Sequence, residues 1–222
     1  MNEAINKFWN FRLFECKKAL EKNNFEAYIA ETSAEAKQIV LEKIIPGSGA
    51  KTFGYAGSLT VEGLGILDEL RNNPEAEIVE TFGVPAKDRA EVMERARHAL
   101  IVDMFITSTN AITETGILVN LDMWGNRVGA MAYGPKSVVI ITGRNKLVPD
   151  LQEAMDRIKN YAAPVNAIRH DMKHPRKTPC VTTSYCDNCE GDWRICNTWV
   201  INEKSFPKGR IKVVLINEDL GY

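Results

Sequence analysis

The sequence predicts an α/β fold in which an open, mostly parallel sheet carries helices on both faces. Short apolar stretches alternate with amphipathic helical stretches over the first part of the chain, which is typical of parallel strands joined by crossover helices. With 222 residues, 45% hydrophobic and 26% charged, the chain is long enough to bury a large core. We find no internal repeat and no low-complexity linker, so we expect residues 1–222 to form one domain.

An amphipathic helix is predicted at the start, within residues 1–25. Its apolar side chains recur near helical spacing, with lysine and glutamate between them. They are Ile5, Phe8, Trp9, Leu13 and Cys16. We expect Cys16 to serve packing, because it lies on the apolar side of this helix.

Strands and helices then alternate. A strand over 26–30 precedes a second helix, which we expect to end before Pro46 because proline interrupts a helix. A strand that ends at Gly54, a Gly-rich turn and a helix to about Leu70 follow. A strand, a charged helix and another strand come next, at 76–82, 85–100 and 101–112.

The pattern changes after residue 112 to short, hairpin-like apolar pieces. These lie at 116–122, 127–134 and 137–143, with turns at Gly125-Asn126 and Gly134-Pro135. An amphipathic helix begins near residue 150 and is expected to stop near Pro164. A final apolar strand is predicted from Val213 to Ile216.

Charge and hydropathy exclude several function classes. The chain has 28 basic and 29 acidic side chains and a net charge of -1, which gives no general attraction to nucleic acid or to an acidic membrane. No apolar run is long enough for a membrane span, and the charged N-terminus lacks the features of a signal peptide. We therefore expect a cytoplasmic protein without nucleic acid or membrane partners.

Four cysteines occur within seventeen residues near the carboxyl end: Cys180, Cys186, Cys189 and Cys196. The C-x-x-C pair lets two thiolates face one ion, and the outer cysteines can complete the ligand set. Their spacing matches neither a zinc ribbon nor a bacterial ferredoxin, so zinc and an iron–sulfur cluster stay open. Disulfides are disfavoured in a reducing cytosol. We treat His170 and His174 as solvated or as neighbours of such a centre.

A Gly-rich turn between a strand and a helix, "GYAGSLTVEG", is a second candidate site. Its backbone N–H groups near Gly57 and the hydroxyls of Ser58 and Thr60 could hold a phosphate or a carboxylate. The turn lacks the lysine of a Walker loop and the glycine pattern of a dinucleotide fingerprint. An ordinary helix cap is the alternative.

Polar residues between the central apolar runs form a third candidate. Thr109 and Asn110 end a predicted strand, where open α/β sheets bind ligands. Glu114 could act as base or nucleophile and Arg127 as a fork for a carboxylate. The amides Asn120 and Asn126 could orient the ligand. A surface ion pair with turn residues is the alternative.

Several of these stretches together resemble the LUD domain, a lactate utilization family formerly described as a domain of unknown function. They are "GYAGSLTVEGLGI", "AAPVNAIR", the block from "TSTNAITETG" to "LQEAMDRI" and the closing "GRIKVVLINEDLGY". The resemblance implies a fold similar to ribose-5-phosphate isomerase, glucosamine-6-phosphate deaminase and CoA-transferases. It places ligand binding on the turn with Gly57, Ser58 and Thr60, and a carboxylate role on Glu114.

The resemblance also implies a role in the use of lactate or a related small organic acid. Members of this family are implicated in iron–sulfur dependent oxidation of lactate to pyruvate with ferredoxin-like partners. The present chain lacks the added ferredoxin-type repeats and resembles a stand-alone variant, with a cysteine-rich insertion at 176–200 before the last strand. We expect an iron–sulfur cluster, [4Fe-4S], or alternatively zinc, on the four cysteines.

Three functions follow from these expectations. The first is a subunit that oxidises a 2-hydroxy acid or transfers its electrons to a redox partner protein. The second is a zinc-stabilised ligand-binding or regulatory subunit. The third is an enzyme that processes a CoA-type or phosphorylated sugar ligand with Glu114. A homodimer is expected, because symmetric dimers are the commonest oligomers.

Overall fold

The structure is a computed structural model that describes residues 3–83, 85–172 and 178–222. The helices are α1 (Glu3–Lys22), α2 (Ser33–Gln38), α3 (Ile45–Ser48), α4 (Leu59–Leu64), α5 (Ile66–Asn72), α6 (Arg89–His98), α7 (Asn126–Ala132), α8 (Leu151–Arg157), α9 (Ala163–Asp171) and α10 (Pro179–Thr183). The strands are β1 (Glu26–Ala30), β2 (Thr52–Tyr55), β3 (Glu77–Ile78), β4 (Met104–Thr107), β5 (Ala111–Thr113), β6 (Leu118–Asp122), β7 (Ser137–Gly143), β8 (Leu147–Val148), β9 (Thr198–Asn202) and β10 (Ile211–Ile216).

A six-stranded sheet forms the centre of the fold, in the order β1-β10-β7-β4-β2-β3. Every neighbouring pair in it is parallel. The predicted open parallel α/β sheet is therefore confirmed. All seven residues of β7 are buried, as expected for a central strand covered on both faces.

The two faces of this sheet carry separate apolar clusters, because successive side chains of a strand point to opposite sides. Val138 and Ile140 pack on the face covered by α1 and α7. Val139 and Ile141 pack on the face covered by α2, α4 and α5. The predicted first helix is confirmed as α1, and Cys16 is fully buried on its inner side.

A smaller sheet of four strands, in the order β8-β5-β6-β9, lies beside the central one. The hairpin of β5 and β6 is antiparallel, whereas β8 joins β5 in parallel. Apolar residues of this sheet pack against Ala154 and Ile158 of the α8 region and against Cys196. The sequence did not predict β8, and β9 lies at the end of the segment that we expected to be only an insertion.

Residues 127–134 were wrongly predicted as a hairpin piece. Residues 127–132 lie in α7, which begins after Gly125 in the left-handed region (φ 87°). Val128 and Met131 are three residues apart, so both face the core as a helix requires. Residues 137–143 form the central parallel strand β7 and not a hairpin, since their uninterrupted apolar run suits a strand buried on both faces.

Two prolines do not end their helices, contrary to the prediction. Pro46 lies in α3 and Pro164 in α9, and each follows a π-helical turn, at Ile39–Ile44 and Ile158–Ala162. The wider turn interrupts the regular hydrogen-bond ladder. Each proline then occupies an early position of the next helix, where its missing N–H costs little. Among the described residues, no helix is long and apolar enough to cross a membrane.

Candidate functional site

The Gly-rich turn follows β2 at the carboxyl end of the central sheet. Ser58 caps α4, since its Oγ accepts a hydrogen bond from the Val61 N–H at 3.3 Å. The backbone of Gly57 borders open space, because a Cβ placed there would meet no atom within 4 Å. Thr60 is buried, with its hydroxyl on the inner side of the turn. The interpretation of this turn as an ordinary helix cap therefore applies to Ser58. The hydroxyl of Thr60 contacts other groups instead.

Lys146 lies at the centre of this region, although the sequence did not single it out. It ends the 3-10 turn Arg144–Lys146 that follows β7. Its Nζ lies 3.2 Å from Thr60 Oγ1 and 3.0 Å from Ser108 Oγ. The residue is only 4% exposed, and no carboxylate in the described part of the chain forms an ion pair with it. The amine is thus buried among hydroxyls without an opposite charge.

Two guanidinium groups lie near this amine. Burial, together with repulsion from Arg157 and Arg127, lowers the pKa of Lys146 to about 7. Both causes disfavour the charged amine, so a large share of Lys146 is neutral near pH 7.

Asn110 holds both guanidinium groups. Its Oδ1 accepts from Arg127 at 2.9 Å, and its backbone carbonyl accepts from Arg157 at 2.8 Å. Arg127 is balanced by Asp122 at 3.0 Å. Arg157 has no carboxylate partner among the described ion pairs, and burial lowers its pKa. The strand ends therefore hold more buried positive than negative groups.

Two of the other predicted residues, Asn120 and Thr109, form hydrogen bonds near Asn110. Asn120 accepts the Asn110 N–H at 3.2 Å, while its own Nδ2 is buried without a hydrogen-bond partner. Thr109 donates to the backbone carbonyls of Ala111 in β5 and Val119 in β6, so its hydroxyl has a structural role.

Glu114 and Asn126 are not among the residues to which the described amine of Lys146 donates. Glu114 forms an ion pair with Arg12 of α1. Asn126 is the first residue of α7. In the described chain Glu114 pairs with Arg12 and Arg127 with Asp122, so the two predicted residues do not form an ion pair with each other.

The segment Leu220–Gly221 covers the buried amine. The side chain of Asn145 holds it, accepting from the Leu220 N–H at 3.0 Å and donating to the Gly221 carbonyl at 3.4 Å. A Cβ added to Gly221 would lie 2.8 Å from Thr60 Oγ1 and 3.4 Å from Lys146 Nζ. This close approach explains why Lys146 is so little exposed.

The strand order places Lys146 between two strands whose connections leave in opposite directions. From β2 the chain passes to β3 on one side, whereas β4 leads on to β7 on the other side. Neighbouring strands whose connections leave in opposite directions create a crevice at their carboxyl ends, where open α/β sheets bind ligands. Thr60 follows β2 and Ser108 follows β4, so Lys146 bridges the two sides of this crevice.

The four cysteines form a second region. They line one small cavity together with Ala163 and Pro164 at the start of α9, and all four are free thiols. The four residues are Cys180, Cys186, Cys189 and Cys196. Burial raises the pKa of Cys189, and the neighbouring Cys196 raises it further. Thiols that influence each other in this way lie close together.

Arg194 fixes the loop that carries these cysteines. Its guanidinium donates to the carbonyls of Cys196 at 3.0 Å, Asn188 at 3.1 Å and Cys189 at 2.9 Å. Lys159 Nζ lies 4.0 Å from Cys196 Sγ. Within the three described segments, no three His, Cys, Asp or Glu side chains meet in an arrangement that could hold a metal ion. His174 lies outside the described residues.

A family model for the LUD domain matches residues 13–216. The chain belongs to the LUD domain family. This family is associated with lactate utilization. The matched range includes both the strand-end crevice and the cysteine cavity of this LUD domain.

A solved LUD-type structure supports the fold. The chain is similar to a DUF162 family protein from Deinococcus radiodurans, with a TM-score of 0.50 and 13% sequence identity. The match covers 95% of this chain and 98% of that chain. A search of curated proteins found no match. At this identity the likeness concerns the fold of the LUD domain alone.

Sequence reasoning missed Lys146 and Arg157. The available signal for Lys146 was a lysine three residues after a long apolar strand, where a charged side chain near the strand end is unusual. Arg157 gave no signal, because an arginine in an amphipathic helix normally faces solvent.

Proposed function

We propose that this LUD-domain chain binds a small organic acid, lactate or its 2-oxo counterpart, at the carboxyl ends of β2 and β4. The observation that carries the proposal is the half-buried guanidinium of Arg157, for which the described ion pairs provide no carboxylate, beside the buried amine of Lys146. A buried charge without a counter-charge is costly. A bound carboxylate would supply the missing negative charge and would accept hydrogen bonds from a guanidinium.

The family narrows the ligand class. Lactate utilization requires that a protein of the pathway bind a three-carbon acid with an oxygen on the second carbon. The crevice offers hydroxyls at Thr60 and Ser108 beside the cations, which suit such an oxygen. The amide nitrogen of Asn120, whose oxygen accepts the Asn110 N–H, is a further buried donor without a partner among the described residues.

The redox part of the proposal rests on Cys180, Cys186, Cys189 and Cys196. Four thiols line one cavity, and thiolates are the ligand type that an iron–sulfur cluster or zinc requires, which supports the proposal. Because no three of the described thiols meet as a ligand set, the cysteine loop would have to close around the metal on binding. An iron–sulfur cluster bound there would supply one-electron transfer. Arg194 would keep the loop in place, and the ammonium of Lys159 would offset part of the thiolate charge.

Zinc on the same thiols is the alternative centre. It would tie the cysteine loop to the core, since Cys196 also packs against the α8 region, and the chain would then bind its ligand without redox chemistry. A CoA or sugar-phosphate enzyme using Glu114 has weaker support, because Glu114 is occupied by Arg12. A redox partner protein and a homodimer complete the proposal.

Calorimetric titration with L-lactate and pyruvate tests the ligand. We expect Arg157→Gln to weaken binding by about tenfold or more, the usual loss when a charge-assisted hydrogen bond is removed. Arg97→Gln is the matched control, since Arg97 is an exposed helical arginine paired with Glu94. Absence of binding by the wild type, or equal binding by both variants, would contradict the proposal.

Anaerobic purification followed by visible absorption and iron, sulfide and zinc analysis tests the centre. We expect iron and acid-labile sulfide in the wild type, lost in Cys189→Ser and kept in Cys16→Ser, since Cys16 lies in the core away from the cavity. A colourless protein with one zinc would support the alternative. Protein without metal would remove both centres from the proposal.

A further inference from the structure

We propose that Lys146 is a nucleophilic amine that condenses with the carbonyl carbon of a small 2-oxo acid and holds it as an iminium. This inference rests on the proposed function, because it assigns the reacting atom within the same crevice. Three observations carry it: the contacts of Nζ, its position at the strand ends, and the absence of a carboxylate in the described ion pairs.

The two hydrogen bonds of Nζ leave a reactive electron pair. A neutral amine has two N–H groups and one lone pair. Donation to Thr60 Oγ1 at 3.2 Å and to Ser108 Oγ at 3.0 Å uses both N–H groups. Neither contact consumes the lone pair. An ion-paired lysine would instead carry a third proton in place of the lone pair and could not attack a carbonyl.

The surroundings keep the amine neutral. Burial and the nearby guanidinium groups of Arg157 and Arg127 lower the pKa of Lys146 to about 7. Both groups face Lys146 from neighbouring elements, and Asp122 balances only Arg127. An exposed lysine is almost fully protonated near pH 7. Lysines that form Schiff bases have a pKa lowered by burial or by neighbouring charges.

The same guanidinium groups suit the other end of the substrate. A 2-oxo acid carries a carboxylate next to its carbonyl, and Arg157 lacks a carboxylate partner in the described chain. A carboxylate held by Arg157 would direct the adjacent carbonyl toward the amine. The same cations that lower the pKa of Lys146 would therefore also select an anionic carbonyl compound over a neutral one.

The reaction balances without an oxidant or reductant. The Nζ lone pair forms a bond to the carbonyl carbon, and the carbonyl electron pair moves to oxygen, which takes up protons and leaves as water. Amine, ketone and one proton give one protonated iminium and one water. The hydroxyls of Thr60 and Ser108, which contact Nζ, can pass these protons.

Entry to the amine requires movement of the covering segment Leu220–Gly221. Its backbone is held by the single side chain of Asn145 and by the Thr60 hydroxyl, which donates to the Leu220 carbonyl at 3.4 Å. Two of these three contacts, at 3.4 Å, are long for hydrogen bonds. The side chain of Leu220 also packs against the core cluster, so opening must break this apolar contact together with the hydrogen bonds.

Trapping with sodium cyanoborohydride and pyruvate, followed by intact mass and peptide mapping, tests the inference. We expect one reduced pyruvate adduct on the peptide that contains Lys146, formed with a pH midpoint near 7. Lys146→Arg keeps a cation but cannot form an iminium, so the adduct should disappear. Lys204→Arg is the matched control, an exposed lysine whose change should leave the adduct intact.

The outcomes separate this inference from the proposed function. Pyruvate binding by calorimetry without an adduct would overturn the iminium and leave the binding function standing. Absence of both binding and adduct would overturn both. An adduct spread over surface lysines, or one retained in Lys146→Arg, would also overturn the inference. Pyruvate binding by Lys146→Arg would show that the variant is folded.

Discussion

Replacement of Lys146 by methionine is expected to stabilise the protein at neutral pH. Methionine has a similar length and fills the same volume without a polar head group. The lysine is 4% exposed and pairs with two hydroxyls only, so the folded state must either hold an unbalanced charge or release a proton. The variant is free of this cost.

The magnitude follows from the pKa of Lys146. Its fall from 10.5 to about 7 corresponds to an order-of-magnitude cost of about 5 kcal/mol in the free energy of unfolding at acidic pH. Loss of the bonds to Thr60 and Ser108 offsets about 2 kcal/mol, at about 1 kcal/mol for each bond. We therefore expect Lys146→Met to be more stable by about 2 kcal/mol at pH 7, which raises Tm by about 4 to 8 °C for a chain of this size.

The pH dependence distinguishes this explanation from a simple gain in packing. Between pH 7 and 10.5 the unfolded chain binds a proton at Lys146 that the folded chain does not bind. The free energy of unfolding of the wild type therefore rises with pH over this window, by up to about 1.4 kcal/mol per pH unit. Below pH 7 both states are protonated and the full cost remains. The advantage of Lys146→Met should shrink as pH rises.

Urea unfolding of wild type and variant at several pH values between 6 and 10 measures this difference, because other titrating groups cancel in it. Lys204→Met, at an exposed position, is the control and should show a constant difference. Equal pH profiles for the Lys146 and Lys204 variants would refute the reasoning, since they would mean that the folded protein keeps Lys146 charged at no cost.

Three further results are expected. Cys16, whose pKa burial raises to about 12, should resist a thiol reagent at pH 8 until urea is added, whereas a fast reaction in the native protein would contradict its burial. Gly116→Ala should lower the free energy of unfolding by about 2 kcal/mol or more, because its φ is 77° and the new Cβ would lie 2.6 Å from the Leu20 N. Urea unfolding should show no such loss for Gly191→Ala, whose new Cβ would meet no atom within 4 Å. Asp88→Ala should lower the free energy of unfolding by about 1 kcal/mol, because Asp88 Oδ1 caps α6 by accepting the Glu91 N–H at 3.0 Å. An unchanged Tm in thermal unfolding would mean that this cap does not stabilise the protein.

The central sheet could be predicted because its signal is local. The apolar runs of β4, β7 and β10 and the amphipathic spacing of α1 depend on neighbouring residues in the chain. The errors arose where a local rule had a nonlocal exception. Pro46 and Pro164 normally stop a helix, but π-helical turns before them let the chain continue as a new helix packed on the sheet.

The candidate site was predictable only in part for the same reason. The turn at Ser58 and Thr60 and the guanidinium of Arg127 follow apolar strands or stand beside glycines, which marks them in the sequence. The contact of Lys146 with Thr60 joins residues 86 positions apart. Arg157 reaches Asn110 across 47 positions. Such contacts follow from strand order, which the spacing of residues along one sequence does not supply.

The π-helical turn Ile158–Ala162 connects the two candidate regions. Just before it, Arg157 holds the carbonyls of Asn110 and Asn145 at the strand ends, at 2.8 and 3.2 Å. Within it, Lys159 points its ammonium to Cys196 at 4.0 Å.

Directly after this turn, Ala163 and Pro164 line the cysteine cavity. The segment 157–164 thus includes one residue that contacts the strand ends and others that lie beside the thiols. A π-helical turn often marks a functional site, since its wider ring re-aims neighbouring side chains. In this chain Arg157, just before the turn, contacts the strand ends, and Lys159, within the turn, lies beside Cys196.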